Sequence, residues 1–129
     1  MKKTRLAIIG ENDFANNIVH QLLTNDRYTV SCFLTNKKQE TNNRFDLPIY
    51  KIEGSKKYYK TLFDKILVLD DMPYESEFYY DLHKEGYTNI DIMIKESSCY
   101  FENGLLSKKS VHTFDLSKKP LLKYIEMHV

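Results

Sequence analysis

Four short apolar runs, spaced along the chain with helix-like stretches between them, constrain this sequence more than any other feature. Residues 5–10 (RLAIIG), 29–35 (TVSCFLT), 65–70 (KILVLD) and 90–94 (IDIMI) are each too short for a core helix. Their near-continuous apolarity is that of strands buried on both faces of a parallel sheet. After Gly10, Asn12 or Asp13 can cap a helix in which Phe14, Ala15, Ile18, Val19, Leu22 and Leu23 recur at amphipathic spacing, with Asn16, Asn17, Gln21 and Asn25 on the other side. Strand, helix, strand in this order calls for a parallel crossover.

Residues 36–45 are polar and interrupt the pattern, and Leu47, Ile49, Tyr50 and Ile52 then suit a short third strand or extended connection. Tyr58, Tyr59, Leu62 and Phe63 fit a short helix. Met72-Pro73 opens another, whose Tyr74, Phe78, Leu82 stripe runs to Gly86 as its C-cap. Beyond Lys95 the pattern weakens, with a last strand expected near Phe114 to Leu116 and a connector from Ser117 to Pro120. These alternating elements specify an α/β fold, a three-layer sandwich with a mostly parallel sheet. Leu6, Ile8, Val30, Phe33, Ile66, Val68, Ile90 and Ile92 should form its core, with Ile18, Leu22 and Leu82 packed against them.

A chain of 129 residues suits one core. The formal charge of +1 and the scattered lysine pairs argue against nucleic acid as a partner, because counterion release needs a concentrated basic surface. No apolar run reaches membrane-spanning length. Met1, Lys2 and Lys3 lead straight into a strand and not into a secretory leader, and Cys32 and Cys99 lack metal or disulfide spacing, so a cytoplasmic location and free thiols are expected. The abundance of Lys, Asn, Ile and Tyr points to a low-GC bacterial genome. His20, His83, His112 and His128 form no zinc motif, and Ser97, Ser98 and Cys99 lack the glycines of a nucleophile elbow. Tyr58, Tyr59, Tyr79 and Tyr80 suit either a contact surface or packing at the core edge, the second being the simpler reading.

The layout of residues 4 to 95 resembles the small Rossmann-like domains at the front of bacterial nucleotide-sugar dehydratases and sugar acyltransferases. In a G-x-G-x-x-G/A dinucleotide turn, the first glycine makes the turn, the second admits the pyrophosphate and the third position stays small for helix packing. Gly10 keeps the first and Ala15 permits the third, but Asn12 stands at the second, where its side chain takes space that phosphates need. Glu11 and Asp13 add negative charge at the helix N-terminus, which favours the helix dipole and competes with an anion. At the end of the second strand, where a carboxylate holds the ribose in NAD sites, stand Thr35 and Asn36, followed by Lys37 and Lys38. Those lysines suit a 2′-phosphate, giving NAD(P) as the alternative cofactor. Asp70 and Asp71 end the strand that lies at the carboxyl edge, where ligands of open α/β folds sit, although adjacent acids before Met72-Pro73 also serve as turn and cap residues. Gly10, Asn12, Asp13, Ala15, Thr35, Asn36 and Asp70 are the candidate cofactor-binding residues, for NAD(P), a smaller phosphate ligand or a nucleotide-sugar. No Tyr-x3-Lys pair is recognised on a helix suited to a sugar oxidoreductase.

Residues 120–129 (PLLKYIEMHV) resemble the first barrel strand of radical S-adenosylmethionine enzymes, one group of which carries a Pro-Leu-x-x-Tyr-Ile-Glu-x-His-Val stretch leading into a C-x3-C-x2-C loop. That resemblance implies a Rossmann-like domain over residues 1–117. Residues 118–129 would then be a linker and the first strand of a following domain, with the chain cut before the cysteines. S-adenosylmethionine and an iron-sulfur cluster would belong only to that following domain, the expected partner in the same polypeptide. This domain would recognise substrate or pack against the barrel without catalysis of its own. A homodimer through edge strands or helices is compatible with the fold, and an interaction domain without any small ligand is the third reading.

Overall fold

The computed structural model describes residues 2–38, 41–59, 61–69, 78–93, 95 and 99–116. Asp70, Asp71, the start of the helix at Met72-Pro73 and the whole of residues 120–129 lie outside the described residues.

The four apolar runs form the parallel centre of the sheet as β1 (Thr4–Ile9), β2 (Tyr28–Thr35), β5 (Lys65–Leu69) and β6 (Asn89–Met93). With β4 (Leu47–Lys51) they lie in the order β4-β2-β1-β5-β6, every neighbouring pair parallel. Counted along the chain, the parallel strands stand 3-2-1-4-5, the doubly wound order whose switch point lies between the carboxyl ends of β1 and β5. Two antiparallel strands close the edges, β3 (Asn43–Arg44) beside β4 and β9 (Val111–Asp115) beside β6, giving seven strands.

Alternation along each strand divides the core into two layers. Leu6, Ile8, Leu67 and Leu69 face α1 (Asp13–Leu23) and its buried Phe14, Ile18, Val19 and Leu22. Ala7, Ile9, Ile66 and Val68 face the other way, onto Tyr79 and Leu82 of α3 (Phe78–Glu85). In β2 the register steps between Leu6↔Val30 and Ala7↔Cys32, skipping Ser31. Val30 therefore joins the α1 layer and Cys32 the α3 layer, despite being two apart. All eleven side chains expected in the core are buried. Fully burying an Ile or Leu is worth about 1.5–3 kcal/mol, so these layers carry most of the cohesion.

Three local expectations need correction. The short helix α2 spans Ser55–Tyr59, earlier than Tyr58 to Phe63, because Ile52 C=O accepts from Ser55 N–H at 3.0 Å and Gly54 turns the chain at φ 83°. Leu62 is left exposed, while Phe63 is buried beyond the helix. The last strand runs longer and antiparallel, as β9. The weak region after Lys95 folds as a hairpin, β7 (Phe101–Glu102) with β8 (Leu105–Leu106), whose Tyr100, Phe101 and Leu106 pack onto the α1 layer. Gly86 ends α3 at φ 100°, with Tyr87 N–H on Leu82 C=O at 3.1 Å, as its position predicts. At the amino end of the sheet, Arg5 donates to Asp64 at 3.0 Å and holds that exposed carboxyl down to about 2. β1 and β5 are thereby tied at the end away from the switch point.

Candidate functional site

The chain leaves β1 at Gly10, whose φ of 139° is open chiefly to glycine. A Cβ here would run into the Leu69 carbonyl and approach the Ala15 Cβ to 3.3 Å. Gly10 thus lets β1 pass close to the end of β5, and the small Ala15, fully buried, lets α1 pack against the turn. These are the first and third roles of the glycine turn.

Asn12 fills the second role differently. Its Oδ1 accepts from Ala15 N–H at 2.8 Å, capping α1, and its Nδ2 donates to Leu69 C=O at 3.0 Å. One carboxamide therefore spans the switch point. It takes a helix N–H that a phosphate would meet, and it stands where the backbone of a second glycine would leave room. Asp13 lies exposed in the first turn of α1 and lines neither cleft described below.

Arg44, in the polar stretch for which no element is expected, reaches the same turn from the sheet edge. Its guanidinium donates to Gly10 C=O and to Asn16 Oδ1 and lies 4.6 Å over the Phe33 ring and 5.6 Å from that of Phe45. Burial lowers its pKa, and the nearby Glu11 charge opposes that shift. The only sequence signal was an arginine beside an aromatic residue within a polar stretch.

Among the described residues two open clefts lie at the carboxyl edge, and the first adjoins this turn. The first, about 330 Å³, is lined by Gly10, Glu11, Asn12, Lys37 and Phe78. The second, about 280 Å³, includes Thr35, Asn36, Lys51, Glu53, Asp81 and Lys84. Thr35 is buried and structural: its C=O accepts from Ile52 N–H at 2.9 Å and its Oγ1 from Lys37 N–H at 3.1 Å. Asn36 is exposed and donates to Asp81 Oδ2 at 2.9 Å, bringing a carboxylate from α3 to the end of β2. That acid escaped sequence reasoning because it lies 45 residues from Asn36. Tyr80 and Lys84 do carry the Tyr-x3-Lys spacing on α3, but Tyr80 is 47% exposed and lines neither cleft. Among the described residues no cluster of His, Cys, Asp or Glu could hold a metal, and no helix is long and apolar enough to cross a membrane.

No protein-family model matches the chain, and no curated protein does. Among solved structures it is similar to UDP-D-quinovosamine 4-dehydrogenase from Vibrio fischeri, with 12% identity and a TM-score of 0.59 over 88% of this chain and 95% of that one. With the strand order and the Gly10 turn, that likeness makes the fold Rossmann-like.

Proposed function

We propose that this chain is a recognition domain that holds a nucleotide-linked sugar at the carboxyl edge of its sheet, without using a dinucleotide. The observation that carries the reading is the Asn12 carboxamide. By bridging Ala15 and Leu69 it occupies the pyrophosphate position, yet the cleft lined by Lys37 and Phe78 and the cleft beside Asn36 stay open. The first offers an aromatic ring, Phe78, and a cation, Lys37, which together suit a base and a phosphate. A fold shared with a protein described as a UDP-sugar dehydrogenase adds support at the level of architecture.

Calorimetry with UDP, UDP-glucose, NAD and NADP tests this. UDP or UDP-glucose should bind, and NAD and NADP should bind at least about a hundredfold more weakly than at an intact dinucleotide turn, since two polar contacts worth roughly 1 to 3 kcal/mol each are missing. Micromolar NAD or NADP affinity, or no binding of either UDP compound at millimolar concentration, overturns the reading.

The resemblance of residues 120–129 favours a second setting for the same module, in front of a radical S-adenosylmethionine barrel to which it would present substrate. The gene should then continue into a C-x3-C-x2-C loop, and protein extended through that loop should bind an iron-sulfur cluster with visible absorbance. A gene without those cysteines removes this setting and leaves the nucleotide-sugar reading in place.

A further inference from the structure

We infer that the second cleft is a sugar-hydroxyl subsite in which Asp81, supplied by α3, accepts a vicinal diol. The inference rests on the nucleotide-sugar reading for its place along the ligand, but its chemistry stands on this cleft alone. In dinucleotide folds the acid that meets ribose ends the second strand; here that position is Asn36. Its amide holds Asp81 Oδ2 at 2.9 Å, and among the described residues this is the one side-chain hydrogen bond of the Asp81 carboxylate. The carboxylate is therefore oriented by one oxygen and left with acceptor capacity on both. An ionised carboxylate only accepts, and two adjacent hydroxyls can each donate to it through strong charge-assisted bonds.

Charge separates a polyol from a phosphate at this cleft. Lys51 and Lys84 face three carboxylates, of Glu53, Asp81 and Glu85. Glu85 is already occupied, accepting from Gly54 N–H at 2.8 Å and Lys56 N–H at 3.4 Å. The lining is on balance acidic, which disfavours an anion, while the lysines can donate to ring and hydroxyl oxygens. Phe78 and Asp81 lie one helical turn apart on α3, so one helix bounds both clefts, and a ligand with its phosphate near Lys37 can lay a sugar ring against Asp81.

The diol can come from a nucleoside ribose or from a pyranose. Saturation-transfer NMR with methyl β-D-ribofuranoside and methyl α-D-glucopyranoside on the wild type and on Asp81→Asn distinguishes them. The substitution keeps an acceptor for Asn36 and removes the charge. One glycoside should bind, and D81N should weaken it about tenfold, the loss expected of a charged hydrogen bond. Ribofuranoside binding assigns the subsite to the nucleoside, glucopyranoside binding to the transferred sugar. Should D81N fail to fold, the 2-deoxy form of whichever glycoside binds supplies the same test on wild type and should also bind about tenfold more weakly. No glycoside binding, or binding indifferent to both D81N and the 2-deoxy change, overturns the inference. Glycoside binding without UDP binding would sink the preceding reading alone.

Discussion

The two tight hairpins among the described residues both turn through positive φ and are built from opposite chemistry. Asn103-Gly104, joining β7 to β8, has φ values of 54° and 78°; Phe45-Asp46, joining β3 to β4, has 54° and 59°. Both are two-residue loops with positive φ at each central position, for which Asn-Gly is the preferred pair. The first uses it, and its ties are modest: Asn25 Nδ2 donates to Gly104 C=O at 3.0 Å, and Leu106 N–H to the Tyr28 hydroxyl at 2.9 Å. The second places a bulky aromatic residue where it is sterically unfavoured. In return the Phe45 ring stacks near Phe33 at 6.1 Å and meets His20 edge-on at 4.8 Å, and Arg44 is delivered to the Gly10 turn. A local cost is retained where the side chains it positions reach the candidate site, and is absent where the hairpin only covers the α1 layer.

The sharpest way to break this comparison is to remove the Phe45 ring. Phe45→Ala keeps the unfavourable φ and loses the contacts with Phe33, His20 and Arg44, so urea unfolding should show a loss of about 2–3 kcal/mol, below the range for a fully buried ring. Phe45→Gly loses the same contacts but relieves the backbone, and should be about 1 kcal/mol more stable than the alanine variant. Alanine more stable than glycine would mean that the turn is not strained.

Next in size is Arg44. Arg44→Lys should cost about 1.5 kcal/mol by the same measurement, nearly as much as Arg44→Ala, because an ammonium cannot lie flat on Phe33 while donating to both Gly10 and Asn16. Full retention of stability by lysine would reduce Arg44 to a surface charge. On the other hairpin, Gly104→Ala should cost about 1 kcal/mol through backbone strain alone, since its added Cβ meets only the Arg27 side chain, at 3.9 Å.

The contrast also explains what the sequence disclosed. Strands such as Leu6 to Ile9 and Lys65 to Leu69 were legible because burial on both faces leaves an apolar run, and α1 because its stripe and cap are local. The Asn12 side chain at the second position of the turn could be read from the sequence, though not its bond to Leu69, which spans 57 residues. The β3–β4 hairpin was illegible because Phe-Asp carries no turn signal, and its positive φ values depend on contacts with Phe33 and His20 elsewhere in the chain. The Asn103-Gly104 pair was the strongest short hairpin signal present, but its strands of two residues each are too short to show alternation. Asp81 was missed because a helix residue joins the end of β2 only through the fold.

The smallest expected effect has the opposite sign. Asp46 is exposed, holds φ 59°, and occupies the position that glycine fills in the other hairpin. Asp tolerates this region better than Phe, so less strain is available to relieve, and glycine adds freedom to the unfolded chain that opposes the gain. The balance should leave Asp46→Gly about 0.5 kcal/mol more stable than the wild type in urea unfolding, with the slope unchanged. The same change should leave Arg44 in place, so UDP titration should be unaltered. If Asp46→Gly destabilises the protein, Asp46 makes a contact that outweighs its backbone cost, and the Phe45 ring is not the sole support of the turn.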